Sequence, residues 1–259
     1  MDSRIRTVRV TRYVTPLREG GSLPAIVEAD DEGMYVLKFR GAGQGARALI
    51  AELVSGEIAR ALGLPVPEIV FADLDPELAR TEPDPEIHAL IMDSAGLNLG
   101  LDYLPGSVTY DPIVQNPDAD LASRIVWFDA YVTNVDRTAR NTNMLMWHKR
   151  LWLIDHGATL YFHHSPGWDA GPSRARDPFP MIKKHVLLNR ARTLESVDDS
   201  MASALNAEVI AGIVGAIPDG WLTAEPGHDA ATLRAAYARY FLERLTAPRP
   251  FVEEALGAR

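Results

Sequence analysis

The stretch Asn134–Gly157, NVDRTARNTNMLMWHKRLWLIDHG, decides how the rest of the chain is read. Two apolar runs, Met144-Leu145-Met146-Trp147 and Leu151-Trp152-Leu153-Ile154, flank His148-Lys149-Arg150, a charged segment short enough to close a β-hairpin. A hairpin returns its ends to one place. Asp155, at the end of the second run, is therefore expected beside Asn141, with Asp136 a few residues upstream in the same mouth. Magnesium takes oxygen ligands and keeps several waters, so Asn141 and Asp155 suit a magnesium ion facing bound phosphates. Asp136, a second carboxylate close by, suits the removal of a proton from an attacking hydroxyl.

The run Asp136-Arg137, then Arg140-Asn141, then Asn143-Met144-Leu145, followed by Leu153-Ile154-Asp155-His156-Gly157, resembles the HipA-like kinases. These are bacterial relatives of the eukaryotic protein kinases; a more distant likeness is to the type II phosphatidylinositol 4-kinases. The resemblance covers roughly residues 30 to 165 and is carried by the second half of that span. It implies an α+β, two-lobed protein-kinase-like fold, with a small β-rich N-terminal lobe and a mainly helical C-terminal lobe. It also implies ATP and Mg2+, and serine/threonine phosphorylation as in the family's toxin members. Two departures are visible. Asp155-His156-Gly157 stands where protein kinases carry Asp-Phe-Gly, which keeps the metal carboxylate and removes the phenylalanine used for switching. The chain also starts almost directly at the nucleotide lobe, without the extra N-terminal subdomain of the toxin proteins, so toxin activity is not part of the expectation.

Composition sets wider limits. A chain of 259 residues buries a substantial core and suits two lobes, here expected as 1–106 for nucleotide binding and 107–259 for the catalytic, mainly helical lobe. The 47% apolar and 24% charged fractions are those of an ordinary globular protein. No apolar run approaches the length of a membrane helix, and Met1-Asp2-Ser3-Arg4 lacks the apolar core of a signal peptide, so the expected address is the cytoplasm. The absence of cysteine excludes disulfides, thiolate zinc sites and cysteine nucleophiles. A net charge of −9 argues against non-specific nucleic-acid or anionic-lipid partners.

In the N-terminal half, residues 5–14, Leu23–Glu28 and Met34–Phe39 read as three strands, with Gly20-Gly21-Ser22 as a turn between the first two. Lys38 alternates with Leu37 and Phe39 and so points away from the face they pack. Ala46–Leu62 is helical with Gly63 as its C-terminal cap. Ile69–Leu74 is a strand, and Asp84-Pro85-Glu86 opens a helix that Gly96 is expected to end. The kinase resemblance implies that Lys38 holds the α and β phosphates of ATP with Glu52 of the helix as its partner. It further implies that the backbone of Asp102, Tyr103 and Leu104 reads adenine.

Residues 107–120 read as a loop. An amphipathic helix then carries Leu121, Ile125, Phe128 and Val132 on one stripe, capped by Asp118 or Asp120, and delivers Asn134 and Asp136 at its end. Arg137 and Arg140 are available to hold Asp136 ionised, to meet phosphate, or simply to be solvated, and Asn143 to support the site or cap a turn. His163-His164 is not expected to bind metal, because adjacent side chains point apart on an extended chain. Ser165, Ser173 and, further on, Thr193 are hydroxyls open to modification. Residues 198–216, 228–246 and 251–256 are helical. Three functional readings remain open at this point: an ATP- and magnesium-dependent kinase acting on a protein hydroxyl, a pseudokinase or nucleotide-binding module, and a kinase of a lipid or small molecule.

Overall fold

The computed structural model describes residues 5–17, 23–169, 173–223 and 229–259, so the turn expected at Gly20-Gly21-Ser22 lies outside the described residues. The architecture is α+β, and the chain divides into two compact units: Met1–Leu53 with Pro67–Pro105, and Val54–Val66 with Gly106–Arg259.

The first unit is built on five strands, β1 (Thr7–Pro16), β2 (Ala25–Ala29), β3 (Met34–Lys38), β4 (Ile69–Leu74) and β5 (Gly96–Asp102). They close into a barrel in the order β1-β2-β3-β5-β4, shut by parallel pairing of β1 with β4 from Thr7 opposite Phe71 to Arg9 opposite Asp73. Closure leaves no strand edge exposed to pairing. Val8, Val10, Val27, Tyr35, Leu37, Val70 and Ala72 fill the core. Gly100 of β5 is required there, since a Cβ would meet a methyl of Val70 at 2.9 Å. Between β4 and β5 runs α2 (Pro85–Asp93), which starts as expected, the Asp84 side chain accepting from the Glu86 N–H at 3.0 Å. It ends at Ser94, not at Gly96, which already belongs to β5.

Helix α1 (Ala46–Ala61) spans the division between the units. Its end is closed by Gly63 at φ 71°, with Gly63 N–H on the Arg60 carbonyl at 3.0 Å and Leu64 N–H on Ala59 at 2.9 Å. That bond pair is the Schellman arrangement, which needs a residue free of Cβ at the left-handed position.

The second unit is organised around α3 (Ala119–Tyr131), capped by Asp118, whose Oδ1 accepts from the Leu121 N–H at 2.8 Å. The expected apolar stripe is an underestimate: from Ile125 to Tyr131 every residue is buried, so α3 is a central helix covered on all sides. Trp127 stacks on Tyr131 at 5.2 Å and meets Phe251 edge-on at 5.3 Å. Arg244 is buried at the C-terminal end of α3, donating to the carbonyls of Ala130 and Tyr131 at 2.9 and 3.0 Å. A cation there satisfies carbonyls that the helix itself cannot.

The segment expected to be loop contains a short strand, β6 (Val108–Thr109), which pairs with β7 (Met144–Trp147); β7 in turn pairs with β8 (Arg150–Leu153). The hairpin turn is tighter than the sequence suggested. Trp147 pairs with Arg150, leaving His148 and Lys149 as a two-residue turn with φ of 47° and 61°.

The C-terminal part is helical: α4 (Leu194–Ala204), α5 (Ala207–Gly215), α6 (Asp219–Leu222), α7 (Ala230–Arg244) and α8 (Pro250–Gly257). The single helix expected over 198–216 is broken because the Asn206 side chain accepts from the Val209 N–H at 2.9 Å and starts a new one. Among the described residues no helix is long and apolar enough to cross a membrane.

Candidate functional site

In the first unit, β3 places Lys38 on the side of the strand opposite the buried Leu37, and α1 places Glu52 in its body. The ammonium and the carboxylate meet at 3.8 Å, with side-chain exposures of 13% and 2%. At the end of β5, the Asp102 N–H donates to the Glu68 carbonyl at 2.8 Å and the Tyr103 N–H to Met34 at 2.9 Å. Those two donors, proposed from sequence for adenine, are engaged within the unit. Leu104 is buried. Burial, with Glu68 adding its charge, pushes the Asp102 carboxyl above its ordinary value.

In the second unit, α3 hands over to an irregular loop through Thr133, which adopts a left-handed conformation at φ 55°. Asn134 organises the start of this loop. Its N–H donates to the Asp129 carbonyl at 2.8 Å, its Nδ2 to Asp129 Oδ1 at 2.7 Å, and its Oδ1 accepts from the Asp136 N–H at 3.0 Å. The loop closes on Thr138, whose N–H lies 2.9 Å from the Asp136 carbonyl and 2.8 Å from that of Asn141.

The Asp136 carboxylate, half-buried, accepts at Oδ2 from the side-chain amides of Asn141 at 2.7 Å and Asn143 at 3.1 Å. Asp136 Oδ1 accepts no hydrogen bond among the described residues. Because Asn141 spends an N–H on Asp136, its Oδ1 is oriented outward from that contact as a potential ligand. Asn143 thus supports Asp136 directly.

Asp155 follows the last paired residues of the hairpin. Leu153 pairs with Met144 and the Ile154 N–H donates to the Asn143 carbonyl at 3.1 Å, so the hairpin returns opposite Asn143, and the Asn141 amide is on Asp136. Asp155 comes directly after, half-buried, at φ 57°.

Arg137 also lies elsewhere than the sequence suggested. It is 1% exposed, and its Nε donates to Asp129 Oδ2 at 2.6 Å while Nη1 donates to the Asn143 carbonyl. Arg137 therefore reaches neither solvent nor Asp136. His185 Nε2 completes the set on Asp129 Oδ2 at 2.8 Å; its Nδ1 accepts the Leu187 N–H at 3.0 Å, which fixes the proton on Nε2. Burial works to push the Asp129 carboxyl up, but the Arg137 charge and the His185 hydrogen bond hold it well below the usual carboxylate range. Asp129 was missed by sequence reasoning although a signal existed: an acid inside the apolar run Ile125–Val132 must be buried and therefore partnered. His185 carries no local signal. Arg140 is exposed.

His163 and His164 fall in a 3-10 turn, not on extended chain, and their Nε2 atoms converge to 3.1 Å, with His163 Nδ1 2.9 Å from the Tyr237 hydroxyl. Among the described residues no three His, Asp, Glu or Cys side chains group as metal ligands. A cleft of about 550 Å³ in the same unit, lined by Tyr110, Gln115, Asn116, Met146 and Lys149 among others, contains none of the candidate residues.

The Helicobacter pylori proinflammatory kinase CtkA is similar over 97% of each chain at 11% identity and a TM-score of 0.48. A Golgi casein kinase is similar over 98% of this chain and 72% of its own, at 12% identity and 0.48, and another structure of that kinase, with Mn/ADP bound, over 95% and 74%, at 13% and 0.46. Curated proteins gave no match. A family model for HipA-like kinases matches residues 10–251, nearly the whole chain and well beyond the stretch that carries the sequence resemblance. The chain belongs to the HipA-like kinase family.

Proposed function

We propose that the protein transfers the γ-phosphoryl group of ATP to a serine or threonine hydroxyl of another protein, with magnesium. The observation that best supports this reading is the Asp136 carboxylate, held at Oδ2 by two amides. In that reading Asp136 Oδ1 receives the acceptor's proton as its oxygen bonds to the γ-phosphorus and the bond to the ADP oxygen breaks. Asn141 Oδ1 and the Asp155 carboxylate would hold the metal. A bound magnesium ion supplies charge neutralisation on the phosphates. In the first unit, Lys38, oriented by Glu52, would meet the α and β phosphates. Adenine contacts from Asp102 and Tyr103 would come from groups other than their engaged N–H donors, with Leu104 as the neighbouring candidate.

Asp136→Ala tests the reading. ATP affinity is expected to stay nearly intact while phosphoryl transfer falls by about 10² to 10⁴, the range for a positioned general base. Melting temperature, calorimetric ATP affinity and autophosphorylation measured on both proteins separate the outcomes. Equal phosphorylation by wild type and variant would remove Asp136 from catalysis, and a wild type that binds ATP without transferring it would make the protein a nucleotide-binding module.

A further inference from the structure

Asp155 leaves β8 in the left-handed region, at φ 57°. Four residues later a set of buried hydrogen bonds converges on Thr159. The His156 carbonyl accepts twice from Thr159, from its N–H at 3.0 Å and its hydroxyl at 2.7 Å. With that proton committed, Thr159 Oγ1 accepts from the Ser55 hydroxyl of α1, 2.6 Å away. Ser55 is 0% and Thr159 1% exposed, so water does not compete for these bonds. His156 is itself buried, its ring meeting Phe128 edge-on at 5.6 Å. Packing tolerates several ring placements, whereas two hydroxyls in series allow one orientation of the turn.

We propose that Ser55 and Thr159 form a buried hydroxyl latch that positions Asp155 for the metal. The latch ties the Asp155–Thr159 turn to the C-terminal part of α1, which belongs to the same unit. Ser55 and Thr159 touch neither metal nor nucleotide; they are positioning residues, and the inference rests on the assignment of Asp155 as a metal ligand.

Thr159→Val removes the hydroxyl at nearly constant volume, Thr159→Ser restores it, and Ser55→Ala removes the other half. Two measurements apply to each: calorimetric ADP affinity across a magnesium chloride titration, and hydrogen exchange of residues 154–160 in the nucleotide-free protein. Loss of a group that orients a metal ligand weakens metal affinity by about 10- to 100-fold. Thr159→Val is expected to raise the half-saturating magnesium concentration about tenfold and to speed exchange, and Thr159→Ser to return both toward wild type. Should Thr159→Val fail to fold, Ser55→Ala carries the test, with a several-fold shift in the same direction. A Thr159→Val or Ser55→Ala protein that titrates and exchanges as wild type does overturns the latch. So does a Thr159→Ser protein that fails to recover. Asp155→Asn run in parallel separates the two levels. If it loses magnesium dependence while the latch variants keep it, only the latch falls; if it binds ADP as wild type does at every magnesium concentration, the metal assignment falls and the latch with it.

Discussion

The two units hold their candidate residues by different means. Lys38 and Glu52 sit on a strand and a helix, where pleat and helical turn fix the direction of a side chain, and they meet at 3.8 Å. Asp136 sits on a loop with no period of its own, and its place is set by a handful of specific bonds to backbone carbonyls: Asn134 to that of Asp129, Arg137 to that of Asn143, Thr138 between those of Asp136 and Asn141. Behind these stands one buried carboxylate, Asp129, with Asn134, Arg137 and His185 on it. Regular elements position a residue through many weak backbone bonds; the loop concentrates the same task in a few charged groups. Loss of a single group should therefore be felt far more in the second unit.

Asp129→Asn tests that contrast most severely. It leaves the Arg137 guanidinium buried against a neutral amide, and breaking a buried pair in this way costs about 3–5 kcal/mol. Adding Arg137→Met should recover part of the loss, because the two changes act on one interaction. Denaturant unfolding measures both. A loss below about 1 kcal/mol would mean that the loop's backbone bonds suffice without the charge.

Lys38→Met should act less on stability and more on the ligand. The Glu52 carboxylate is nearly inaccessible, so removing its partner costs about 1–3 kcal/mol, and Lys38→Met with Glu52→Gln should regain most of it. Nucleotide affinity should fall at least about tenfold, near 1.4 kcal/mol, and stay low in the double variant. Calorimetry with an ATP analogue that found unchanged affinity would put the phosphate-binding lysine elsewhere.

The same contrast explains what could be read from sequence. Lys38 was legible because alternation with Leu37 and Phe39 fixes its side of the strand, and the strand limits of β4 and the cap of α2 at Asp84 came from local chemistry. The hairpin was legible as a hairpin, but its register was not, since His148 and Lys149 take left-handed angles that neither residue type advertises. Arg137 and Arg140 look alike in sequence and end in opposite environments. What separates them is Asp129, eight residues before Arg137 in α3, together with His185, far along the chain; no local pattern encodes a partner at that separation. The closed barrel was likewise hidden, because pairing of β1 with β4 joins segments about sixty residues apart.

Acid and salt sharpen the comparison at smaller amplitude. Burial works to raise the Asp31 carboxyl, but hydrogen bonds from Tyr35 and Arg6 outweigh it and hold the group down to about 2. A carboxyl lowered in the folded state stabilises above its unfolded value, about 3.9, and that contribution is lost as pH falls from about 4 toward 2. Wild type should therefore lose stability more steeply across that window than Asp31→Asn. The difference should stay below about 1 kcal/mol, because the pair is partly exposed. One molar salt should shrink it further. The Asp129 group is also held low, but it is fully buried, and its contribution should persist in salt. Equal salt sensitivity of Asp31→Asn and Asp129→Asn would erase the distinction drawn between the units.

Arg140→Ala should have the smallest effect, and it isolates the loop's chemistry from its scaffolding. Arg140 lies three residues after Arg137 in the same loop, but it is exposed, and its backbone N–H donates to Thr138 Oγ1 at 3.4 Å, a bond that alanine keeps. Stability should change by less than about 0.5 kcal/mol, as for surface substitutions generally. Nucleotide affinity should also hold if the guanidinium is merely solvated. Steady-state kinetics decide among the roles open to it. A raised KM for ATP alone would place Arg140 on phosphate, and a raised KM for a protein acceptor alone would place it on the acceptor. A loss of stability approaching that of Asp129→Asn would show that the loop is held from its exposed side as well, and that the buried carboxylate does not carry the arrangement by itself.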